Sequence, residues 1–303
     1  MKGDTGTASL SASALSRARA TDFVELTKPK LMLLVLFTTF VGFCAGAHGD
    51  IPLLLVFHTL MGTALMAGGA GAFNMYTEQD IDARMLRTAL RPIAAGRLCS
   101  GHALVFAWLL SAGGLVYLHL FVNHRTSLVS AAIVAFYLFL YTPLKTKTWL
   151  CTPVGAIPGA LPILMGWTAA RGTLSPEAWA LFAIVFVWQL PHFYAIGWMY
   201  RDDYARAGLP VLSVIDLSGK RTARQALIFI VGLILASLLP ARAGMAGPAY
   251  AAGAVLFGLA FLGFGVHFAR RRDRLSARRL FVASALYLPA LFIVLVLDIL
   301  AGR

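Results

Sequence analysis

One acidic stretch has the residue types and the spacing of a metal site. It reads Asn74-Met-Tyr-Thr-Glu78-Gln-Asp80-Ile-Asp82, so Asn74, Glu78 and Asp82 recur every fourth residue. On a continuous helix this spacing puts the three side chains on one face, whereas Asp80 points elsewhere. Mg²⁺ binds proteins through one or two carboxylates together with waters and substrate phosphates. The stretch therefore predicts a Mg²⁺ site, with a solvated helix end stabilised by i,i+4 pairs as the alternative.

Basic residues follow this stretch closely. Arg84, Arg87, Arg91 and Arg97 lie within one short segment after it. Guanidinium groups fork onto phosphate oxygens, and a metal ion can neutralise the oxygens that remain. Carboxylates followed by arginines are therefore typical of a metal-bridged diphosphate.

A second acidic motif, Tyr200-Arg201-Asp202-Asp203-Tyr204, follows another apolar stretch. Its two carboxylates could hold a second Mg²⁺ that faces the first, and Arg201 is a further candidate for contact with phosphate. The alternative is an ordinary polar helix end. The recurrence of acidic residues after two apolar stretches strengthens both motifs, but it does not decide which carboxylate binds metal.

Two further motifs carry polar groups next to apolar stretches. In Tyr141-Thr-Pro143-Leu-Lys145, Lys145 could contact phosphate and the Tyr141 ring could face a cation, provided that Pro143 does not break the turn. The alternative is an interfacial Tyr and Lys that anchor a span. His192, next to Pro191, lies within an apolar stretch, where an ionisable residue indicates a functional site. A hydrogen bond inside a helix bundle is the alternative for His192.

The composition indicates which elements position these residues. Of 303 residues, 59% are hydrophobic and 13% are charged, whereas about a quarter are charged in typical soluble proteins. The three cysteines form no CxxC pair, which excludes a disulfide scaffold. Nine apolar stretches approach or exceed the length of a membrane span, and they lack the alternation of barrel strands. We predict an all-α polytopic membrane protein with spans at 31–48, 52–75, 103–121, 127–143, 150–170, 178–199, 226–240, 248–268 and 280–300.

The distribution of charge predicts the orientation. Of the 26 Lys and Arg residues, 22 lie in the N-terminal segment and in the connections after the second, fourth, sixth and eighth spans. Basic connections stay in the cytoplasm, so we expect a cytoplasmic N-terminus and a C-terminus outside. This explains the net charge of +13 better than a nucleic-acid partner does. We expect a disordered tail at 1–25 and a single membrane domain at 26–303. A bacterial inner membrane is favoured over a mitochondrial one.

The motifs, in this order, resemble those of the UbiA superfamily of intramembrane prenyltransferases. The resemblance runs from Leu26-Thr-Lys28-Pro29-Lys30 to the ninth span. It depends mainly on the two acidic motifs, Tyr141 with Lys145, Gly155-Ala-Ile-Pro158-Gly159-Ala160, and Pro191-His192-Phe193. Glu78 replaces the Asp that is usual in the first motif. The second motif of many superfamily members is DxxxD, and Tyr200 and Tyr204 occupy its two Asp positions here. Asp202 and Asp203 lie between these positions.

Similarity to the haem-farnesylating members implies a nine-helix bundle around a central cavity in the lipid bilayer. It implies farnesyl diphosphate as donor, haem b as acceptor and Mg²⁺ as cofactor, with haem A synthase or terminal-oxidase assembly proteins as candidate partners. Together with the residue patterns above, the resemblance gives these candidate residues: catalytic Asn74, Glu78, Asp82, Tyr141, Asp202 and Asp203; metal-binding Asn74, Glu78, Asp82 and Asp203; diphosphate-binding Arg84, Arg87, Arg91, Lys145 and Arg201; and acceptor-binding His192. A quinone-ring precursor as acceptor, a transporter and an oxidase assembly factor are the alternatives.

Overall fold

The computed structural model describes residues 19–47 and 51–302, and within these ranges every regular element is a helix. In chain order the elements are α1 (Ala20–Leu26), α2 (Pro29–Gly46), α3 (Leu53–Thr77), α4 (Gln79–Asp82), α5 (Ser100–Phe121), α6 (His124–Ala135), a π-helical turn (Phe136–Tyr141), α7 (Thr142–Lys145), α8 (Cys151–Arg171), α9 (Pro176–Met199), α10 (Arg201–Arg206), α11 (Leu212–Ile215), α12 (Lys220–Ser237), α13 (Leu239–Arg242), α14 (Pro248–Arg271) and α15 (Arg274–Ala301).

Nine membrane spans are confirmed in the described part of the chain. They are α2, α3, α5, α6 through α7, α8, α9, α12 through α13, α14 and α15. The largest differences from the predicted bounds are at the starts of the seventh and ninth spans, which begin at Lys220 and Arg274. Both first turns are basic, so hydropathy omits them although they are helical. At α15 the Asp273 carboxylate accepts a hydrogen bond from the Ser276 amide at 2.7 Å and caps the helix.

The predicted disorder of the N-terminal tail is wrong for residues 20–25, because α1 is a helix; residues 1–18 lie outside the described residues. Leu26 and Asp22 of this segment are buried. Arg97 holds α1 from the loop after α4, with Nε 2.9 Å from Asp22 Oδ1 and Nη2 2.6 Å from Glu25 Oε2. The composition of the tail could not reveal this tertiary anchor.

The two most buried spans, α8 and α9, pack against each other at the centre of the bundle. Glycines allow α8 to approach α2 closely: a Cβ at Gly166 would collide with the Thr39 carbonyl, and a Cβ at Gly42 would collide with that of Ile163. Close backbone approach at small residues is a main source of helix association in membranes. The α2–α8 contact therefore fixes one wall of the space between the spans.

Candidate active site

A cavity of about 440 Å³ lies between α2, α3, the π-helical turn, α8 and α9. One end is polar and carries Lys28, Asn74, Glu78, Asp82, Arg87, Arg91, Tyr141, Lys145 and Tyr204. Deeper in the bundle the walls are mainly apolar, with Val35, Met66, Ile133 and Val185 among them. Such a site suits a ligand with a charged head and a long apolar body.

The first acidic motif faces this cavity as the spacing predicted. The chain turns at Glu78 between α3 and α4, but the Glu78 amide still bonds the Asn74 carbonyl at 3.0 Å, and the Asp82 amide bonds the Glu78 carbonyl at 2.7 Å. The helical register is therefore kept across the turn. Asn74, Glu78 and Asp82 line the cavity and are only 3%, 4% and 1% exposed. The exposed Asp80 does not line it.

A cationic side chain contacts each of these three residues. Lys145 Nζ lies 2.6 Å from Glu78 Oε2. Arg91 Nη1 donates to both carboxylate oxygens of Asp82, at 2.7 and 2.6 Å. Lys28 donates to the Asn74 side-chain oxygen. Desolvation makes buried ion pairs weak contributors to stability. The arrangement instead concentrates positive charge around a space that can receive an anion.

Two pKa values record this environment. Burial alone would raise the pKa of Glu78, but the ammonium groups of Lys145 and Lys28 lower it below its usual value, so Glu78 is a carboxylate. Burial, together with the nearby Arg91, lowers the pKa of Lys28 to about 7. An anion bound beside Lys28 would favour its protonated form.

Lys28 belongs to this site although the residue pattern did not assign it a role. It precedes Pro29, the first residue of the first span, and has a positive φ of 52°, which is uncommon for a residue other than glycine. The Lys-Pro pair at the start of an apolar stretch was the available signal. Pattern alone could not show that the chain turns the side chain inward toward Asn74.

The π-helical turn brings two tyrosines to the cavity wall. The rings of Tyr137 and Tyr141 are 5.3 Å apart, and both line the cavity. π-Helical turns often occur at functional sites because they redirect side chains. Pro143 lies in the first turn of α7, where its missing amide proton is tolerated, so Tyr141 and Lys145 both face inward. The residue pattern predicted a role for Tyr141 but not for Tyr137, whose register depends on this turn.

The second acidic motif packs on the loop that follows α4. The Asp203 carboxylate accepts hydrogen bonds from the Leu86 amide, at 3.3 Å, and from Arg206. The Arg87 guanidinium lies 5.1 Å from the centre of the Tyr200 ring. These contacts hold Arg87 at the cavity, and Tyr204, which the prediction did not include, also lines it.

Several predicted site residues lie away from the cavity lining. Asp202 and Arg84 are exposed, and the Arg201 guanidinium stacks 4.7 Å from the centre of the Trp198 ring. Asp203 is buried but faces Leu86 and Arg206. A catalytic or metal-binding role for the second motif stays a prediction.

The donor set of the first motif fits Mg²⁺. Glu78 Oε1 is buried and has no hydrogen-bond partner. No cluster of three or more His, Cys, Asp or Glu side chains occurs among residues 19–47 and 51–302. The first motif therefore offers two carboxylates and the Asn74 amide oxygen, which suits an ion that takes its other ligands from water and phosphate.

His192 lies in α9 and lines the cavity, stacked on Trp188 with ring centres 4.9 Å apart. The Ser284 hydroxyl donates to the Phe281 carbonyl at 2.6 Å and lies 2.7 Å from His192 Nδ1. Because the Ser284 hydroxyl proton is used in the bond to Phe281, the Ser284 oxygen accepts a hydrogen bond from Nδ1–H of His192. The lone pair of His192 Nε2 is then available. Nε2 has no hydrogen-bond partner in the described part of the chain.

Comparisons with known proteins agree with this geometry. Residues 35–295 match the UbiA prenyltransferase family. A protoheme IX farnesyltransferase of Solibacter usitatus is 46% identical and aligns over 91% of this chain and 98% of its own length. One of Koribacter versatilis is 41% identical, over 91% and 93%. A solved digeranylgeranylglyceryl phosphate synthase superposes with a TM-score of 0.77 at 15% identity, covering 93% of this chain and 98% of its own. A UbiA homolog from Archaeoglobus fulgidus bound to GPP and Mg²⁺ gives 0.66 at 16% identity, over 90% and 99%.

Proposed function

We infer that this chain, which belongs to the UbiA prenyltransferase family, transfers a farnesyl group from farnesyl diphosphate to a vinyl group of haem b. Water adds to the resulting cation and releases a proton, so the products are haem O, with its hydroxyethylfarnesyl side chain, and diphosphate. The observation that carries the inference is the cluster of partly buried cations and buried carboxylates at the polar end of a cavity with mainly apolar inner walls. Haem A synthase and terminal-oxidase assembly proteins are partners that the product would serve.

The residues at the polar end have distinct tasks. In this proposal Lys28, Lys145 and Arg91, which line the cavity, bind the diphosphate and stabilise its negative charge as the allylic C–O bond breaks. Asn74, Glu78 and Asp82 would hold Mg²⁺, which supplies Lewis-acid stabilisation of the leaving diphosphate. Tyr137 and Tyr141 line the same cavity, and in this proposal their ring faces shelter the allylic cation. The apolar walls exclude water that would quench the cation early.

The direct test is product formation. Purified protein incubated with haem b, farnesyl diphosphate and Mg²⁺ is expected to yield haem O by mass spectrometry. A parallel reaction replaces haem b with a quinone-ring precursor. Prenylation of that precursor with haem b left unmodified would replace the proposed acceptor, and no prenylation of either would contradict the proposed activity.

We propose that His192 serves the acceptor. The Ser284 hydrogen bond fixes the ring so that Nε2 is available to ligate the haem iron or to bond a propionate. His192→Ala is expected to weaken haem binding and shift the haem absorption spectrum, while affinity for farnesyl diphosphate stays unchanged. His58, which bonds Tyr117 and does not line the cavity, provides the matched control, and His58→Ala should leave the spectrum unaltered.

The result also separates this role from a structural one. If His192 only holds helices together, affinity for both substrates and thermal stability in detergent should fall together. An unchanged haem spectrum in a stable His192→Ala protein rules out ligation. Ser284→Ala should shift the haem spectrum less than His192→Ala does. It removes the hydrogen bond that orients the His192 ring but leaves the ring in place.

We propose that the N-terminus faces the cytoplasm. The 22 basic residues in the N-terminal segment and in the connections after the second, fourth, sixth and eighth spans support this orientation. In a bacterial inner membrane, a reporter that is active only outside the cytoplasm should be active when fused after Arg303. The same reporter fused near Gly219 should be inactive. The reverse pattern would invert the proposed orientation.

A further inference from the structure

A second cavity, of about 430 Å³, opens on the outer surface of α14 and α15. Its lining is apolar along most of its length, with Phe257, Phe264, Val282 and Leu286 among the lining side chains. Phe261 and Tyr287 form its buried floor, with ring centres 5.4 Å apart. We call this cavity the α14–α15 groove; it shares no lining residue with the candidate active site.

One end of the groove is strongly basic. Arg278 and Arg279 line it, and four more arginines, Arg270, Arg271, Arg272 and Arg274, lie in the same short segment. The only carboxylate there, Asp273, is engaged in capping α15. Within the described ranges none of these arginines forms an ion pair, and Arg279 approaches only His267, at 3.4 Å. The arginines are therefore available to an anion.

The basic end of the groove lies at one end of the helix bundle. The Trp198 indole, at the end of α9, donates to the Arg272 carbonyl at 3.0 Å, so the basic segment is at the same end of the bundle as the second acidic motif. From Arg278 to Ala290 the groove follows α15 for about 18 Å, at about 1.5 Å per residue. One leaflet of hydrocarbon is about 15 Å thick, half of the bilayer core. An acyl chain below a headgroup therefore matches the groove in length.

We propose that the α14–α15 groove binds an anionic glycerophospholipid, with its phosphate on Arg278 and Arg279 and an acyl chain along the apolar wall. Charge complementarity selects this occupant: a paired guanidinium site favours a phosphate with net negative charge, and the mainly apolar wall requires a hydrocarbon tail. Exposed side chains such as Leu286, which is 67% exposed, would be covered by the chain.

The experiment measures lipid retention. The full-length protein in detergent is mixed with phosphatidylglycerol or phosphatidylcholine, and bound lipid is quantified by native mass spectrometry. Phosphatidylglycerol should be retained preferentially. The double variant R278Q/R279Q should lower that retention about tenfold or more. The loss of even one hydrogen bond between charged groups weakens binding by about this factor. R270Q/R271Q removes the same charge from the same segment outside the groove lining, and should have little effect.

A third variant tests the apolar wall. Leu286→Trp fills the groove without changing charge, and should lower retention of phosphatidylglycerol while thermal stability stays near that of the wild type. The proposal is overturned if the two lipids are retained equally, or if R270Q/R271Q loses as much as R278Q/R279Q. Displacement of the lipid by inorganic phosphate at comparable concentration would also overturn it, because a free anion and not a lipid would then be the ligand. An unfolded R278Q/R279Q protein leaves Leu286→Trp and the comparison of the two lipids to decide.

Discussion

Asp82→Ala is expected to lower the rate of haem O formation by about 10²- to 10³-fold, a loss typical for the removal of one group that stabilises transition-state charge. Asp82 is 1% exposed at the polar end of the cavity and holds Arg91 with both carboxylate oxygens. Its loss removes a proposed Mg²⁺ ligand and frees Arg91 to move. The initial rate with saturating farnesyl diphosphate measures the effect. The variant Asp82→Asn removes the negative charge of the side chain but keeps its shape, so it shows how much of the loss is due to the charge.

Asp80 supplies the matched control. It lies two residues away in the same motif, but it is exposed and does not line the cavity. Asp80→Ala therefore removes the same charge and should keep a rate close to that of the wild type. Near-normal activity of Asp82→Ala, or an equal loss in both variants, would contradict the role of Asp82.

Gly166→Val should destabilise the folded protein by about 1–3 kcal/mol or more, as expected for overpacking at a tight contact. The added side chain would meet the Thr39 backbone, which cannot yield as a flexible side chain can. The α2–α8 contact must then open, and the cavity wall that it fixes must move. The thermal unfolding midpoint in detergent and the amount of folded protein recovered from membranes measure the change.

Gly263 of α14 is the control for this substitution, because an added Cβ there meets nothing within 4 Å. Gly263→Val introduces the same β-branched residue into a span, so the cost of valine in a membrane helix is matched. A Gly166→Val midpoint equal to that of Gly263→Val would show that close packing at Gly166 contributes little to stability.

Periodicity and hydropathy predicted the features that depend on local sequence. The nine spans follow from apolar length, and the inward face of Asn74, Glu78 and Asp82 follows from their spacing, because the hydrogen bonds across Glu78 keep the helical register. The similarity to the haem-farnesylating branch, which the relatives confirm, came from motif order.

The features that depend on contacts between distant segments were not predictable from the sequence. The inward turn of Lys28 toward Asn74 depends on a left-handed residue. The helix α1 depends on Arg97, far along the chain. The position of Asp203, bonded to the Leu86 amide, depends on how two loops meet. In each case the residue type allowed several partners, and only the folded chain selects one.

Different helices build the polar end and the deeper part of the cavity. The charged groups of the polar end come from the start of α2, the end of α3, α4 and the loop that follows it, and α7. The groups that border the deeper space, such as Gly155, Gly159 and His192, come from α8 and α9. Under the proposed function, bond cleavage and acceptor recognition are therefore separable units for mutation. Evolution or design can reshape the acceptor wall and so change the molecule that is prenylated, without disturbing the apparatus that activates the donor.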